Sequence, residues 1–305
     1  MLKRYAKDSI AAYIFLLPVI VGTLLFTAYP IVMSLFYSFT DLRAGLPSRM
    51  TFENYVNLFS VGDISHEFFR SLGITMLYVV SSTVINIVLS YALALFLKKN
   101  IKGIRVIRLL CYLPVLIPGI AGGLIWRDIF AYDADGFARN MGVINSVLTN
   151  FGLKPLTFFN SASTAMPTLL LTGLWGIGGG MIMWLAALGN IPDDLYESAE
   201  LDGAGYFRKL FSITIPLTTS MLFYNLVTSL ISGLQIFNTY ATYGLGEGES
   251  LYFVGIQIYI KAFPRDLGIP EQGLACAMSW ILFIIIGALS LVMFKTNNWV
   301  KYNDD

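Results

Sequence analysis

Between Pro192 and Pro216 the chain gathers five carboxylates, Asp193, Asp194, Glu197, Glu200 and Asp202, against only Arg208 and Lys209. His66 is the single histidine, and the two cysteines, Cys111 and Cys276, lie far apart in apolar runs. One imidazole and two distant thiols make neither a metal site nor a disulfide framework, and buried packing is the ordinary use of such cysteines. A membrane-embedded enzyme would need clustered carboxylates or histidines at one membrane face, which His66 among ordinary acids does not supply. The spacing of the acidic stretch reads as mechanical instead. Pro192 followed by Asp193 starts a helix with carboxylates at its positive dipole end. Leu195, Tyr196 and Ala199 fall at i, i+1 and i+4 as one apolar stripe, and Gly203 stops the helix. A second amphipathic segment, Tyr206–Ile213, leads to Pro216. A short capped helix, acidic on one face and apolar on the other, suits a device that receives a push from a soluble partner. A plain solvated turn has no need of that apolar stripe.

The elements that hold this loop are set by solvent. Apolar residues make up 56% of the 305 residues and charged residues 13%, about half the charge of an ordinary soluble domain, and mean hydropathy is +0.68. A net charge of +1 argues against nucleic acid as a partner. Uncharged stretches run over Ser9–Thr40, Ser71–Leu97, Leu109–Trp126, Pro155–Pro192, Leu210–Gly246 and Gln272–Phe294. Each reaches the ~18–20 residues that cross a bilayer core as a helix. The expectation is an all-α transmembrane protein with six spans near 10–38, 72–97, 106–130, 163–189, 217–240 and 273–294. Residues 10–305 then form a single transmembrane domain, and the acidic loop, 190–216, joins spans four and five. Lys3, Arg4 and Lys7 before the first span, and Lys98, Lys99, Lys102, Arg105 and Arg108 after the second, place both segments in the cytoplasm. Residues 1–9 are thus a cytoplasmic N-terminus, and an even number of spans returns the C-terminus to the same side. The first run is too long for a cleaved signal and is followed by no A-x-A site, so it reads as an anchor.

No Asp, Glu, Lys, Arg or His falls mid-span. Proton-coupled carriers and voltage sensors ordinarily carry such groups, whereas sodium coupling can rely on neutral oxygens. No GxxxxGK[ST] phosphate loop occurs, since GIGGGM (Gly176–Met181) lacks the lysine, so ATP hydrolysis must come from another chain. Pro18, Pro30, Pro114 and Pro118 interrupt the spans. Gly119 with Gly123, and Gly176 with Gly180, form small-xxx-small pairs suited to close helix approach or to breaks around a cavity. Asn86, Asn225, Gln235 and Asn238, with Trp175, Trp184, Tyr224 and Tyr240, offer amides and aromatic faces for a neutral, hydroxyl-rich solute. The same groups serve equally as interhelical hydrogen bonds and interfacial belts. Asn225, Gln235, Asn238, Tyr224 and Tyr240 are the candidate pathway residues because they lie in or near the fifth span.

The stretch LAALGNIPDDLYESAELDGAGYFRKLFSITIPL, Leu185–Leu217, closely resembles the EAA signature of ABC-importer permeases, most of all the carbohydrate-uptake subgroup. Ile191, Pro192, Leu195, Tyr196, Glu197, Ala199, Asp202, Gly203, Ala204, Phe211, Ile213, Thr214 and Pro216 match its pattern, with Ser198 and Ile215 as conservative departures. FLLP (Phe15–Pro18), Tyr29–Pro30, the Pro-rich third span ending in Trp126–Arg127, and QIFN (Gln235–Asn238) resemble the maltose- and glycerol-phosphate-type permeases, in particular the first permease of each pair. The ending Tyr302-Asn303-Asp304-Asp305 lacks the K-G-like terminus common in the second. YGLGEGES (Tyr243–Ser250) stands where this group often has T-x-GGP.

The resemblance implies the type I importer permease fold, with a cytoplasmic coupling helix between spans four and five, in a prokaryotic cytoplasmic (inner) membrane. It implies a second homologous permease as heterodimer partner, two ABC ATPase subunits that bind ATP and Mg, an extracellular or periplasmic solute-binding protein, and surrounding lipid. The chain itself would be no enzyme and would hold neither cofactor nor metal. By the same resemblance Tyr196, Glu197, Ala199, Asp202, Gly203 and Ala204 form the coupling surface, with Glu197 the polar docking contact and Gly203 permitting the turn. The cargo implied is a sugar or oligosaccharide, with glycerol phosphate less suited to a path that has no basic group. A self-contained secondary carrier or channel for a neutral solute is the other reading; it would act without an ATPase and leaves the acidic loop unexplained.

Overall fold

In the computed structural model the described residues are 2–45, 47, 49–99, 102–132, 141–264 and 268–300, with side chains from residue 13 onward. Met1, the side chains of Lys3, Arg4 and Lys7, and the Tyr302–Asp305 ending fall outside them. Helices account for the regular structure, and the described residues contain an isolated Thr40–Met50 bridge but no strand. Among the described residues, four helices are long and apolar enough to cross a membrane: Tyr13–Ser38, Asp63–Leu97, Ala165–Gly189 and Gln272–Lys295. Two bent pairs, Ile104–Leu116 with Gly119–Ile129 and Tyr206–Leu217 with Thr219–Leu234, bring the number to six if each pair is one span.

The chain forms two compact units, one from residues 1–67 and 258–284 and one from 68–257 and 285–305. In the first unit α1 (Leu2–Thr23) passes through a wide turn at Leu24–Ala28 into α2 (Tyr29–Ser38). Pro30 explains the widening: its ring cannot donate a backbone hydrogen bond and would press on the preceding turn. A short helix, α3 (Glu53–Phe59), ties down the end of α2. The Asn54 amide donates to the Ser38 and Thr40 carbonyls at 2.9 and 2.8 Å, and the Tyr55 hydroxyl donates to Ser38 Oγ at 2.8 Å. Carbonyls that a helix end leaves without partners are thereby satisfied.

The second unit begins on α4 (Asp63–Leu97), whose 35 residues extend about 50 Å at the helical rise. Its faces are sorted for lipid. Leu77, Val80, Val84 and Val88 are exposed on one stripe, while Ser71, Thr75, Thr83 and Ser90 are buried. Lipid supplies no hydrophobic drive between helices, so hydroxyls and small groups hold the inner face.

The third span is broken. α5 (Ile104–Tyr112) gives way to a tight turn at Leu113–Leu116, Ile117 is extended, and α6 (Gly119–Ile129) departs at 97°. Pro118 forces Ile117 out of the helical region, and Pro114 removes a donor just before it. After α7 (Val143–Asn150), α8 (Ala165–Gly173) and α9 (Ile177–Gly189) make the third long helix, the fourth span, through a tight turn at Leu174–Gly176.

The small-residue pairs are used in half. A Cβ on Gly178 would lie 1.9 Å from the Cys111 carbonyl oxygen and one on Gly180 would lie 3.2 Å from Ser90. A Cβ on Gly123 would meet Thr242 at 2.6 Å, whereas Gly119 and Gly176 face open space. Past the acidic loop, α13 (Thr219–Leu234) ends six residues short of the expected bound at 240. α14 (Thr239–Tyr243), α15 (Val254–Ala262) and α16 (Gln272–Lys295) complete the chain, preceded in the loop by α10 (Asp193–Leu201), α11 (Tyr206–Lys209) and α12 (Ile215–Leu217).

Candidate functional site

The acidic loop folds as its residues require. Pro192 sits at the start of α10 in an extended conformation, with Asp193 and Asp194 in the first turn, where carboxylates meet the positive end of the helix dipole. The far end closes as a Schellman motif. Gly203 has φ +74, its N–H donates to the Glu200 carbonyl at 2.9 Å, and the Ala204 N–H reaches back to Ala199 at 2.8 Å. Asp202 is the last residue before that turn. A Cβ on Gly203 would meet nothing within 4 Å, so glycine is needed there for its backbone conformation and not for space.

Of the expected apolar stripe, Tyr196 and Ala199 are half-buried while Leu195 is exposed. Tyr196 is anchored at its hydroxyl and over its ring. Its hydroxyl lies 3.0 Å from Thr214 Oγ1, and Lys98 Nζ sits 4.8 Å from its ring centroid. The ring packs against the cluster of Ala94, Leu97, Ile104, Met181, Trp184, Leu188 and Ile191. Lys209 pairs with Glu200, fixing α11 against α10. Glu197 points to solvent, and so do Leu201 at 91%, Phe207 at 71% and Phe211 at 65% of full exposure. Leu201, Phe207 and Phe211 thus leave large apolar surface uncovered within this chain beside the acidic helix.

Deeper in the same unit lies a polar cleft of about 400 Å³. Tyr78, Ser82 and Asn86 of α4 face it, together with Ser229 and Ser232 of α13 and Gln235 and Asn238 from the connection that follows. Tyr78 and Asn238 also border a second, more aromatic cavity of about 320 Å³ at the break in the third span, walled by Trp126, Trp175 and Tyr243. No residue lining either cavity carries a charge. Gln235 and Asn238, singled out from sequence, are thus brought together. Asn225 instead donates to the Met221 carbonyl of its own helix at 2.9 Å, and Tyr224 is half-exposed. Tyr240 is buried at 9% exposure, and none of these three lines the cleft. Ser82, Ser229 and Ser232 carried no sequence signal that set them apart from other hydroxyls in the spans.

A unit of apolar, membrane-length helices that carries a capped acidic helix on one connection and an uncharged polar cleft within fits the class of transport permeases. Residues 86–301 match the family described as "Binding-protein-dependent transport system inner membrane component", and the chain belongs to it. It is 35% identical over 302 residues to "Probable ABC transporter permease protein YesP" of Bacillus subtilis (strain 168), covering 97% of this chain and 93% of that one. It is 29% identical over 299 residues to the arabinooligosaccharide transport system permease AraP of the same organism, covering 97% and 91%. In fold it is similar to a chain in the crystal structure of a bacterial ABC transporter that imports alginate, at a TM-score of 0.79 and 20% identity over 99% of both chains. The chain is therefore a multi-pass permease subunit of an ABC importer, with the all-helical type I permease fold. ATP hydrolysis in such systems resides in a separate ATPase.

Proposed function

We propose that this permease forms half of the passage for a neutral sugar or oligosaccharide and that 190–216 is the loop through which ATP hydrolysis drives it. The observation that carries the cargo is the cleft: about 400 Å³ lined by amides of Asn86, Gln235 and Asn238 and by hydroxyls, with no charged group. Amides and hydroxyls can exchange hydrogen bonds with sugar hydroxyls in both directions, and Tyr78 offers an aromatic face. A fixed anion would call for a cation in the wall, and none is there. Relatives named for arabinooligosaccharides, for trehalose and maltose, and for multiple sugars support the same class.

The coupling surface comprises Tyr196, Glu197, Ala199, Asp202, Gly203 and Ala204. Glu197 meets the partner, Tyr196 ties the helix to the membrane core, and Gly203 makes the turn that returns the chain to α11. The partners are a second homologous permease, two ATPase subunits holding ATP and Mg, and an external solute-binding protein. Both termini lie in the cytoplasm, on the side of the Lys98–Arg108 cluster.

Affinity purification of the tagged chain from its native membrane, followed by mass spectrometry, tests the assembly. A second six-span permease and an ATPase with a phosphate loop are expected to copurify. A chain that emerges alone and still moves solute in vesicles without ATP would overturn the reading in favour of a self-contained carrier.

A further inference from the structure

A line of hydroxyl groups runs from α10 towards the polar cleft. Tyr196 on α10 touches Thr214 Oγ1 at 3.0 Å. Thr218 Oγ1 lies 2.9 Å from the Thr214 carbonyl and 3.1 Å from that of Ile215. Its one proton is therefore committed to the backbone, and the Tyr91 phenol, 3.2 Å away, donates to Thr218 Oγ1. Tyr91 stands on α4 and meets Trp184 of α9 edge to face, with ring centroids 4.7 Å apart. The Trp184 indole N–H donates to Ser90 Oγ at 3.1 Å. Asn86, one helical turn before Ser90 on the same helix, lines the cleft.

Thr218 is also the point where the helix bends. The segments Tyr206–Leu217 and Thr219–Leu234 meet at 63°, and Thr218 itself leaves helical geometry at φ −107, ψ 8. Beyond the bend, α13 carries Ser229 and Ser232 into the same cleft. The surroundings are apolar: Tyr91, Tyr196, Leu217, Met221 and Leu222 all pack against one cluster that includes Trp184 and Leu188. Phe and Val would fill the space of Tyr and Thr without requiring partners. Hydroxyls placed in apolar surroundings and bonded to one another give a defined geometry rather than bulk.

We propose that Tyr91, Thr214 and Thr218 are positioning residues that carry displacement of the coupling helix to both walls of the cleft. The proposal rests on the reading of 190–216 as the coupling loop. Thr214 takes up the movement of Tyr196, the bend at Thr218 turns it into a swing of α13, and Tyr91 holds α4 to the same pivot. The chain of contacts gives a route, and the 63° bend at Thr218 is the element whose angle the proposal requires to differ between the states of the transporter.

The test uses the complete permease–ATPase complex in liposomes with its binding protein, reading solute moved per ATP hydrolysed and thermal stability in parallel. Tyr91→Phe and Thr218→Val each remove one hydroxyl at constant volume. Each is expected to lower the ratio roughly three- to tenfold, the scale of one hydrogen bond, with stability little changed. Thr218→Ser should restore the ratio, and the double variant should be no worse than Thr218→Val alone, because the one bond that Tyr91→Phe removes is already lost in Thr218→Val together with the bonds to the Thr214 and Ile215 carbonyls. Unchanged ratios in both single variants, losses that multiply in the double variant, or failure of Thr218→Ser to rescue would each overturn the relay. Glu197→Lys run alongside separates the two levels of the account. An uncoupled Glu197→Lys with normal Tyr91→Phe defeats the relay alone, whereas a normal Glu197→Lys defeats the coupling-loop reading and the relay with it.

Discussion

The hydroxyl of Tyr196 lies 3.0 Å from Oγ1 of Thr214, so the acidic helix is fastened to the segment entering the fifth span by a side-chain contact as well as by the chain between them. Without it, the side-chain hold on α10 would reduce to the packing of the Tyr196 ring, its contact with Lys98 and the Lys209–Glu200 pair, and a half-exposed ion pair at a surface contributes little. Tyr196→Phe keeps the ring beneath Lys98 and loses the bond. About 1 kcal/mol of local stability should go with it, seen as faster hydrogen exchange over 193–201 while the spans stay protected.

Gly203 separates conformation from space. Its φ of +74 opposes any side chain branched at Cβ, although nothing lies within 4 Å of an added Cβ. Gly203→Asn should therefore keep most transport, since Asn tolerates the left-handed region, while Gly203→Val should cost about 1–2 kcal/mol there and most of the activity. Uptake assays on equal amounts of inserted protein distinguish the two.

The glycines of the fourth span differ sharply. Gly178→Ala drives a methyl to 1.9 Å from the Cys111 carbonyl oxygen, whereas Gly176→Ala meets nothing within 4 Å. Overpacking of a tight contact costs about 1–3 kcal/mol. Gly178→Ala should lower the melting temperature in detergent clearly, and Gly176→Ala should leave it near wild type.

In the cleft, Gln235→Ala and Asn238→Ala should each raise the half-saturating concentration for a neutral sugar roughly two- to tenfold, the scale of one hydrogen bond. Basal ATP hydrolysis should stay unchanged. Asn225→Ala should do little to transport, because that amide is spent on the Met221 carbonyl of its own helix. Equal effects at all three positions would detach the cleft from the passage.

What the sequence made legible followed from local chemistry. Six uncharged runs marked the apolar helices, Pro192 with Asp193 and Gly203 marked both ends of α10, and Pro114 and Pro118 marked an interruption in the third run. The 97° turn there was not legible, because a proline pair permits a range of bends and packing selects one. The end of α13 at Leu234 has no glycine or proline after it to announce the stop. Gln235 and Asn238 thus belong to a connection rather than to the span in which they were sought. The cleft itself joins Tyr78, Ser82 and Asn86 to residues 229–238, a pairing that helical periodicity within either segment cannot disclose. Of the two glycine pairs, Gly123 and Gly180 make close contacts while Gly119 and Gly176 do not, and Gly178, outside the Gly176/Gly180 spacing, makes the closest approach.

The central claim is that this permease is driven through its exposed acidic helix. The most direct measurement is solute uptake by the reconstituted complex carrying Glu197→Lys, with membrane insertion and complex assembly checked on the same sample. The account predicts that uptake is abolished while the chain remains inserted and folded. Wild-type uptake by a stably inserted Glu197→Lys protein would contradict it.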